Sequence, residues 1–297
     1  MEYSFSHYLL SKQSVDDRAL NQHVYQHLQA SLPQGPLRII EVGAGIGSML
    51  IRLLKWGLLG QAEYILVDEM PENIAYAAGW IPGWAGENGL QVKPSPGNCL
   101  RLTNSKMDVL VRLECADVFD FIRRAPQPAD LLIAHAFLDL LPMPESLREL
   151  LSLVKTDGLA WLTINFDGVS TLEPVIDPVL DAAIEQRYHR SMDTRPSGGD
   201  SQAGRHLFGH LSGLNAKIQA AGASDWVVHA IDGKYLADEA YFLQFILHFY
   251  EQSLSGQPEI EPRALADWLT KRRAQITRGE LVYIAHQMDF LVKPLGV

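Results

Sequence analysis

Short apolar runs alternate with amphipathic stretches along most of the chain, and this alternation predicts strands that alternate with helices. Buried strands are predicted at 38–42, 61–68, 109–115, 130–135 and 159–166. Helices with apolar residues at helical spacing are predicted at 48–56, 71–80 and 145–154. This order favours an α/β fold of the Rossmann-like kind, with a doubly wound and mostly parallel sheet.

The C-terminal third of the chain adds two predicted strands, at 225–231 and 281–292, which bring the expected sheet to seven strands. A helix is predicted at 209–221, because the apolar residues of this stretch share one helical face. Residues 1–297 are therefore expected to form a single domain.

Some segments lie outside this plan. Residues 1–35 are predicted to be helical and to form a lid over the glycine-rich turn described below. Residues 81–107 are broken by glycine and proline, so we expect an insertion there, with 90–92 and 100–102 paired as a hairpin at the sheet edge.

Two further insertions, at 167–208 and 238–278, are expected over the carboxyl edge of the sheet. The second is predicted to form two helices, at 238–252 and 263–276. The first of these helices carries an aromatic stripe, which is more typical of a core than of a substrate pocket. The sequence of neither insertion identifies a substrate.

A glycine-rich turn follows the first predicted strand. Gly43, Gly45 and Gly47 are spaced G-x-G-x-G, and the acidic residue Glu41 precedes them by two positions. A turn of this kind at the carboxyl end of a strand is where open α/β sheets bind ligands. The dinucleotide fingerprint G-x-G-x-x-G does not fit, because position 48 is serine, and no Gly-Lys-Ser/Thr of a phosphate-binding loop follows.

Two more acidic residues follow strands. Asp68 ends the second predicted strand, and it is placed to accept hydrogen bonds from ribose hydroxyls. Asp117 comes just after the third strand, where a carboxylate can accept a hydrogen bond from an exocyclic amine. Asp117 is also well placed to be the N-cap of a helix.

With these residues in order, the chain resembles the class I methyltransferases that use S-adenosylmethionine. The resemblance covers residues 36–166 and the last two strands, and it implies that the last strand is antiparallel. It implies S-adenosylmethionine as the cofactor and the following cofactor-binding residues: Glu41, Gly43, Ala44, Gly45, Gly47, Asp68, Glu69, Asp117, Val118 and His135.

Catalysis by such an enzyme requires removal of a proton by a base when the acceptor is an alcohol, phenol, acid or amine. His135, at the end of the fourth predicted strand, is the first candidate, because its ordinary pKa is near neutrality. Asp139, one helical turn further on, is expected to orient His135 or to act itself. His189 in the first insertion is the second choice. A structural histidine is an equally good interpretation of His135.

Other polar residues are candidates for binding a ligand. Arg195 and Arg205 are suited to a substrate carboxylate or phosphate, and Lys12 in the lid is suited to a ligand carboxylate. Residues such as Arg195 and Arg205 more often form ion pairs that stabilise loops. Arg18 and Asn21 are further lid candidates, and for them and Lys12 a solvated helix surface is at least as good an interpretation. Asn165 and Asp167, at the end of the fifth predicted strand, are candidates for hydrogen bonds to a substrate.

Composition narrows the range of partners and ligands that the protein is expected to bind. The net charge is −10, from 25 basic and 35 acidic residues, which disfavours a nucleic-acid partner. No apolar run has the length of a membrane span, and the N-terminus lacks a signal pattern, so a cytoplasmic protein with no membrane partner is expected. The two cysteines and the scattered histidines do not predict a metal site. A homodimer is left open.

The resemblance and the two insertions lead us to expect a methyltransferase that acts on a small molecule, by O- or N-methylation. The alternative is a protein that binds S-adenosylmethionine without catalysis and has a regulatory or scaffolding role. A nicotinamide oxidoreductase is disfavoured by the glycine spacing.

Overall fold

A single sheet of ten strands organises the computed structural model, which describes residues 3–196 and 198–295. The strands are β1 (Leu37–Val42), β2 (Gln61–Asp68), β3 (Gln91–Ser95), β4 (Cys99–Thr103), β5 (Asp108–Cys115), β6 (Ala129–His135), β7 (Val154–Glu173), β8 (Ala216–Ala223), β9 (Trp226–Val228) and β10 (Val282–Pro294). None of the helices in the described residues is long and apolar enough to cross a membrane.

Helices cover both faces of the sheet. They are α1 (Phe5–Ser11), α2 (Gln13–Ala19), α3 (Gln22–Ser31), α4 (Ser48–Lys55), α5 (Pro71–Glu87), α6 (Val118–Arg123), α7 (Glu145–Leu151), α8 (Pro178–Asp193), α9 (Ala203–Gly213), α10 (Glu239–Leu254) and α11 (Pro262–Thr277), with a short 3-10 helix at Leu138–Leu140. Neighbouring strand residues such as Ile39 and Ile40 belong to different apolar clusters, as expected for a sheet that is buried on both faces.

The strand order is β3-β4-β5-β2-β1-β6-β7-β10-β8. The five strands from β5 to β7 are parallel, whereas β10 is antiparallel to β7. After β1 the chain first forms β2 and β5 on one side of β1. It then returns and forms β6 and β7 on the other side. The order therefore reverses between β1 and β6, which is where such sheets bind ligands.

The doubly wound fold and the antiparallel last strand are confirmed, but the sheet has ten strands and not seven. The strands β8 and β9 both pair with β10, at different points along its length. The hairpin of β3 and β4 extends the opposite edge. The additional strands therefore lie at the edges and leave the parallel centre unchanged.

The prediction of a helix at 209–221 is wrong in its second half. The helix α9 ends at Gly213, and residues 216–223 form β8, antiparallel to β10. Asn215 separates the two elements with a left-handed φ of 52°. Alanine favours helix over strand, so β8 forms in spite of its local propensity, because it pairs with β10 along its length. Only residues 226–228 of the strand predicted at 225–231 pair with the sheet.

Two other boundaries differ from prediction. The helix predicted at 71–80 continues to Glu87 through Pro82, because its buried residues Ala77, Ile81 and Ala85 are spaced four apart and pack on the core. The strand predicted at 159–166 is 20 residues long. Gly158, near its start, lets the neighbouring strand β6 approach closely, because a Cβ on Gly158 would be 2.9 Å from the Ala129 carbonyl oxygen.

We predict that Gly47→Ala lowers the free energy of unfolding by about 2–4 kcal/mol, from left-handed strain and overpacking together. Gly47 has a φ of 80°, and a Cβ there would be 2.8 Å from Leu66 Cδ2. Gly57 is the matched control, since its φ is 67° and nothing lies within 4 Å of its Cβ position. Gly57→Ala should cost only about 1–2 kcal/mol. Equal losses in urea unfolding would contradict this account.

Candidate functional site

A cavity of about 470 Å³ opens at the point where the strand order reverses. Its walls come from the carboxyl ends of β1, β2, β5 and β6 and from the first two helices. The lining residues are Phe5, Leu9, Lys12, Asp16, Glu41, Gly43, Ala44, Gly45, Ile46, Ser48, Met49, Val67, Asp68, Glu69, Met70, Asn73, Ala116, Asp117, Val118, Phe119, His135, Ala136, Phe137, Leu140, Leu141, Pro142 and Arg195.

The glycine turn forms the floor of this cavity. Gly43 and Gly45 have φ values of 61° and 56°, in the left-handed region that glycine tolerates. A Cβ on Gly43 would be 2.3 Å from Phe137 Cδ2, and one on Gly45 would be 3.0 Å from Leu9 Cδ1. Glycine therefore lets the turn pack closely against the loop after β6 on one side and against α1 on the other.

Asp68 ties the end of β2 to the glycine turn. Its Oδ2 accepts a hydrogen bond from the Gly45 amide at 2.7 Å, and its Oδ1 accepts from the Met70 amide and from Asn73 Nδ2, each at 3.0 Å. The carboxylate is buried but still lines the cavity. It can therefore fix the turn and face a ligand at the same time.

Glu41 is buried at the end of β1, below the turn. Burial raises the pKa of this carboxyl to about 8, although a hydrogen bond from Tyr64 and the charge of Arg52 oppose the rise. The Tyr64 hydroxyl donates to Oε2 at 2.7 Å. A cation in the cavity would favour the ionised form of Glu41.

Asp117 combines the two roles that its sequence position allows. Its Oδ1 accepts hydrogen bonds from the Phe119 and Asp120 amides at 2.9 and 3.0 Å, so it is the N-cap of α6. Its Oδ2 has no hydrogen-bond partner among the described residues, and Asp117 lines the cavity beside Val118. One oxygen therefore caps the helix, and the other is available to a ligand.

Both ring nitrogens of His135 are hydrogen-bonded. Nδ1 lies 2.8 Å from Thr163 Oγ1, and Nε2 lies 2.9 Å from Asp16 Oδ2. Because a carboxylate can only accept, Nε2 donates to Asp16, and Nδ1 then accepts from the Thr163 hydroxyl. Burial lowers the pKa of His135 to about 4, against the charge of Asp16. This geometry argues against the predicted role of His135 as a base.

Asp16 is a buried residue of the cavity wall that the sequence interpretation missed. Its Oδ2 accepts from both Lys12 Nζ and His135 Nε2 at 2.9 Å, and its Oδ1 accepts from Trp226 Nε1 at 2.9 Å. The spacing of four between Lys12 and Asp16 on a helix was a visible signal of the ion pair. The contacts with His135 and Trp226 could not be predicted from the sequence, because these residues are 119 and 210 positions away.

The other two catalytic candidates do not line the cavity. His189 lies on α8 with Nε2 2.8 Å from Ser170 Oγ. Asp139 belongs to the 3-10 helix, and burial raises the pKa of its carboxyl, while the charge of Arg195 opposes the rise. Neither side chain is positioned to take a proton directly from a molecule in the cavity.

The candidate ligand-binding residues divide into two groups. Lys12 and Arg195 line the cavity. The others have partners in the protein: Arg205 pairs with Asp167, Arg18 pairs with Glu239, Asn21 Nδ2 donates to the Ala223 carbonyl, and Asn165 Nδ2 donates to the Met288 carbonyl. Across residues 3–196 and 198–295, no group of three or more His, Cys, Asp or Glu residues is arranged to hold a metal ion.

We predict that Glu41→Gln changes the pH dependence of stability. Between the pKa of about 4.3 of an unfolded glutamate and that of about 8 in the fold, the unfolded chain has released a proton that the folded chain keeps. Wild-type stability therefore falls with rising pH because of this residue. The free energy of unfolding of the variant minus that of the wild type should rise from pH 5 to 8, by at most about 1.4 kcal/mol per pH unit.

The exposed Glu87 provides the control for this measurement, and Glu87→Gln should leave the pH profile of stability unchanged. Denaturant unfolding at a series of pH values measures both variants. A difference between Glu41→Gln and the wild type that stays constant from pH 5 to 8 would contradict the assignment.

Neither a protein-family model nor a curated protein matches this sequence. Among solved structures, a Bacillus halodurans C-125 protein, provisionally described as a methyltransferase, is 9% identical and has a TM-score of 0.50 over 93% of this chain and 100% of its own. YjhP from E. coli is 15% identical with a TM-score of 0.49 over 97% and 98%.

A SAM-dependent methyltransferase from Thiobacillus denitrificans, solved with S-adenosyl-L-homocysteine, is 13% identical with a TM-score of 0.47 over 98% and 99%. At these identities a likeness concerns the fold alone, and the Bacillus halodurans structure, with a TM-score of 0.50, supports it. The fold expected from the class I resemblance is thus confirmed.

Proposed function

We propose that the protein is a methyltransferase that transfers a methyl group from S-adenosylmethionine to a small-molecule acceptor. One observation carries the proposal. Glu41, Asp68 and Asp117 lie at or just after the carboxyl ends of three adjacent parallel strands, and all three line one cavity beside the glycine turn.

The order of these acids along the sheet fits this cofactor. The strands run β5, β2, β1, so Asp117 comes first, Asp68 second and Glu41 third. S-adenosylmethionine has its adenine, its ribose and its amino acid in the same covalent order. Adenine is then bound at Asp117 and Val118, with Glu69 beside them, the ribose hydroxyls at Asp68, and the amino acid part beside the glycine turn.

The charged groups near Glu41 also fit the amino acid part of the cofactor. The amino acid part of the cofactor carries a cationic ammonium and sulfonium and an anionic carboxylate. Glu41 supplies a carboxyl group that a cation would ionise, and Lys12 supplies a buried ammonium that uses one of its protons on Asp16. Gly43, Ala44 and Gly45 line the cavity and let the backbone come close to this part of the cofactor. Gly47 does not line the cavity, and its Cβ position faces Leu66.

When bound, the cofactor supplies an activated methyl group on a sulfonium. The protein's part is then to position the acceptor and to exclude water. His135 is neutral at physiological pH, because its pKa is about 4. Its hydrogen bond to Asp16 holds helix α2 against the end of β6. It orients the site and does not remove a proton.

The remaining end of the cavity is the acceptor site. It continues past β6 and is lined by apolar residues of α1 and of the loop after β6, namely Phe5, Leu9, Phe137, Leu140, Leu141 and Pro142. A total volume of about 470 Å³ suits a cofactor with a small acceptor. The net charge of −10 argues against a nucleic acid.

We predict that S-adenosylmethionine and S-adenosylhomocysteine bind with measurable heat in calorimetry and raise the melting temperature, whereas NAD does neither. Asp68→Asn should weaken S-adenosylhomocysteine by about tenfold or more, because hydrogen bonds to a charged group contribute about 1.5–3 kcal/mol. Asp120→Asn is the control, since Asp120 is exposed outside the cavity. Tighter binding of NAD than of S-adenosylhomocysteine would contradict the proposal.

A non-catalytic protein that binds S-adenosylmethionine is the second candidate, favoured by the fact that both nitrogens of His135 are occupied. Labelled S-adenosylmethionine and a metabolite extract separate the two functions. Transfer of the label to a small molecule supports the enzyme. Binding of the cofactor without any transfer supports the regulatory or scaffolding role.

A further inference from the structure

We propose that the acceptor is an apolar carboxylic acid, held as its carboxylate by Arg195 and methylated on a carboxylate oxygen to give a methyl ester. This inference rests on the proposed function and extends it to the acceptor. It draws on three observations at the acceptor end of the cavity: its apolar walls, an arginine without an ion pair, and the lack of an accessible base among the described residues.

The walls of the acceptor end are apolar and partly open. Phe5 and Leu140 are 38% and 40% exposed, although both line the cavity and are large hydrophobic residues. Leu9 and Leu141 continue the apolar surface inward. An exposed apolar surface at the mouth of a cavity is typical of a binding site for an apolar molecule.

Arg195 is the cation left to recognise a charge on that molecule. It lines the cavity, and its side chain makes no hydrogen bond or ion pair with a described residue. Lys12, the other cation of the cavity, pairs with Asp16 at 2.9 Å and belongs to the cofactor end. An arginine fork suits the two oxygens of a carboxylate.

Asp139 is an acidic residue whose charge interacts with that of Arg195. Burial raises the pKa of the Asp139 carboxyl, which opposes its ionisation, and Arg195 lies beyond ion-pair distance from it. The guanidinium is therefore not fully neutralised by the protein. An anionic group on the acceptor would complete its charge balance.

The lack of an accessible base selects the reacting atom. His135 has both nitrogens occupied, and His189 and Asp139 do not line the cavity. The acids Glu41, Asp68, Glu69 and Asp117 belong to the cofactor end, and both oxygens of Asp16 accept hydrogen bonds from protein groups. Among the described residues, none at the acceptor end is therefore free to remove a proton.

A carboxylate acceptor needs no base, because it is already ionised at neutral pH. A lone pair of one carboxylate oxygen forms the new bond to the methyl carbon. The bond between that carbon and sulfur breaks, and its electron pair stays on sulfur, which becomes a neutral thioether. No proton is transferred, so the neutral and fully bonded His135 is compatible with the reaction.

The test is calorimetry with protein saturated with S-adenosylhomocysteine, using decanoate and the uncharged decanamide as probes. Decanoate should bind at least about tenfold more tightly than decanamide. Arg195→Gln should remove this preference without changing the affinity for S-adenosylhomocysteine. Arg190→Gln is the matched control, since Arg190 is exposed on α8 and does not line the cavity.

Several outcomes would overturn the inference while leaving the proposed function intact. One is equal binding, or no binding, of the two probes to the wild type. Another is an unchanged preference for decanoate in Arg195→Gln. A third is a loss of S-adenosylhomocysteine affinity in that variant, which would mean that Arg195 binds the carboxylate of the cofactor. A wild type that does not bind S-adenosylhomocysteine overturns both.

Labelled S-adenosylmethionine provides a second readout on decanoate and decanamide. A methyl ester releases volatile labelled methanol in mild alkali, whereas methyl groups on nitrogen or in ethers are stable. Alkali-labile label on decanoate, lost in Arg195→Gln and kept in Arg190→Gln, supports the inference. Alkali-stable label, or no transfer to decanoate by a protein that methylates decanamide, contradicts it.

Discussion

The buried carboxylate of Asp16 is the constraint on which the arrangement of the site depends. Burial by itself raises the pKa of a carboxyl, but Lys12, His135 and Arg52 together hold the pKa of Asp16 well below its usual range. A buried charge is tolerated only when it is paired and hydrogen-bonded, so these partners must lie close to it. They come from α2 and its N-terminal flank, from β6 and from α4, and Trp226 of β9 adds a fourth contact.

This network fixes the N-terminal helices over the cavity. Leu9 of α1 lies against the glycine turn, and Lys12 and Asp16 line the same space. The cavity therefore has a floor made by the carboxyl ends of the strands and a wall made by the first helices. The network also determines the state of His135, which stays neutral and oriented because both of its nitrogens are occupied. Opening of these helices as a lid stays a prediction.

Two buried carboxyl groups of the site behave in opposite ways. Asp16 has cations around it and is ionised, whereas Glu41 has a hydroxyl partner and a pKa raised to about 8. The charge of Asp16 is thus balanced by cations of the protein itself. The second carboxyl group can be ionised by a cationic ligand, which is the property that a site for a sulfonium and an ammonium requires.

The sequence was sufficient for the parallel centre of the sheet and the glycine turn, because their signals are local. Runs such as 61–68 are apolar and continuous, and a turn of three glycines has few structural alternatives. The strand β8 could not be recognised, because its alanines favour a helix locally and the strand forms by pairing with the distant β10. The contacts of Asp16 depend on residues from three distant parts of the chain, and the position of Arg195 in the cavity depends on how α8 ends.

A crystal structure of the protein with S-adenosylhomocysteine is the most direct test of the account. We expect adenine beside Asp117 and Val118 at the end of β5, the ribose hydroxyls on Asp68 at the end of β2, and the amino acid part between Glu41 and Lys12. The apolar end of the cavity, beside Arg195, should stay free for an acceptor. A ligand bound with adenine at Arg195, or outside this cavity, would contradict the central claim.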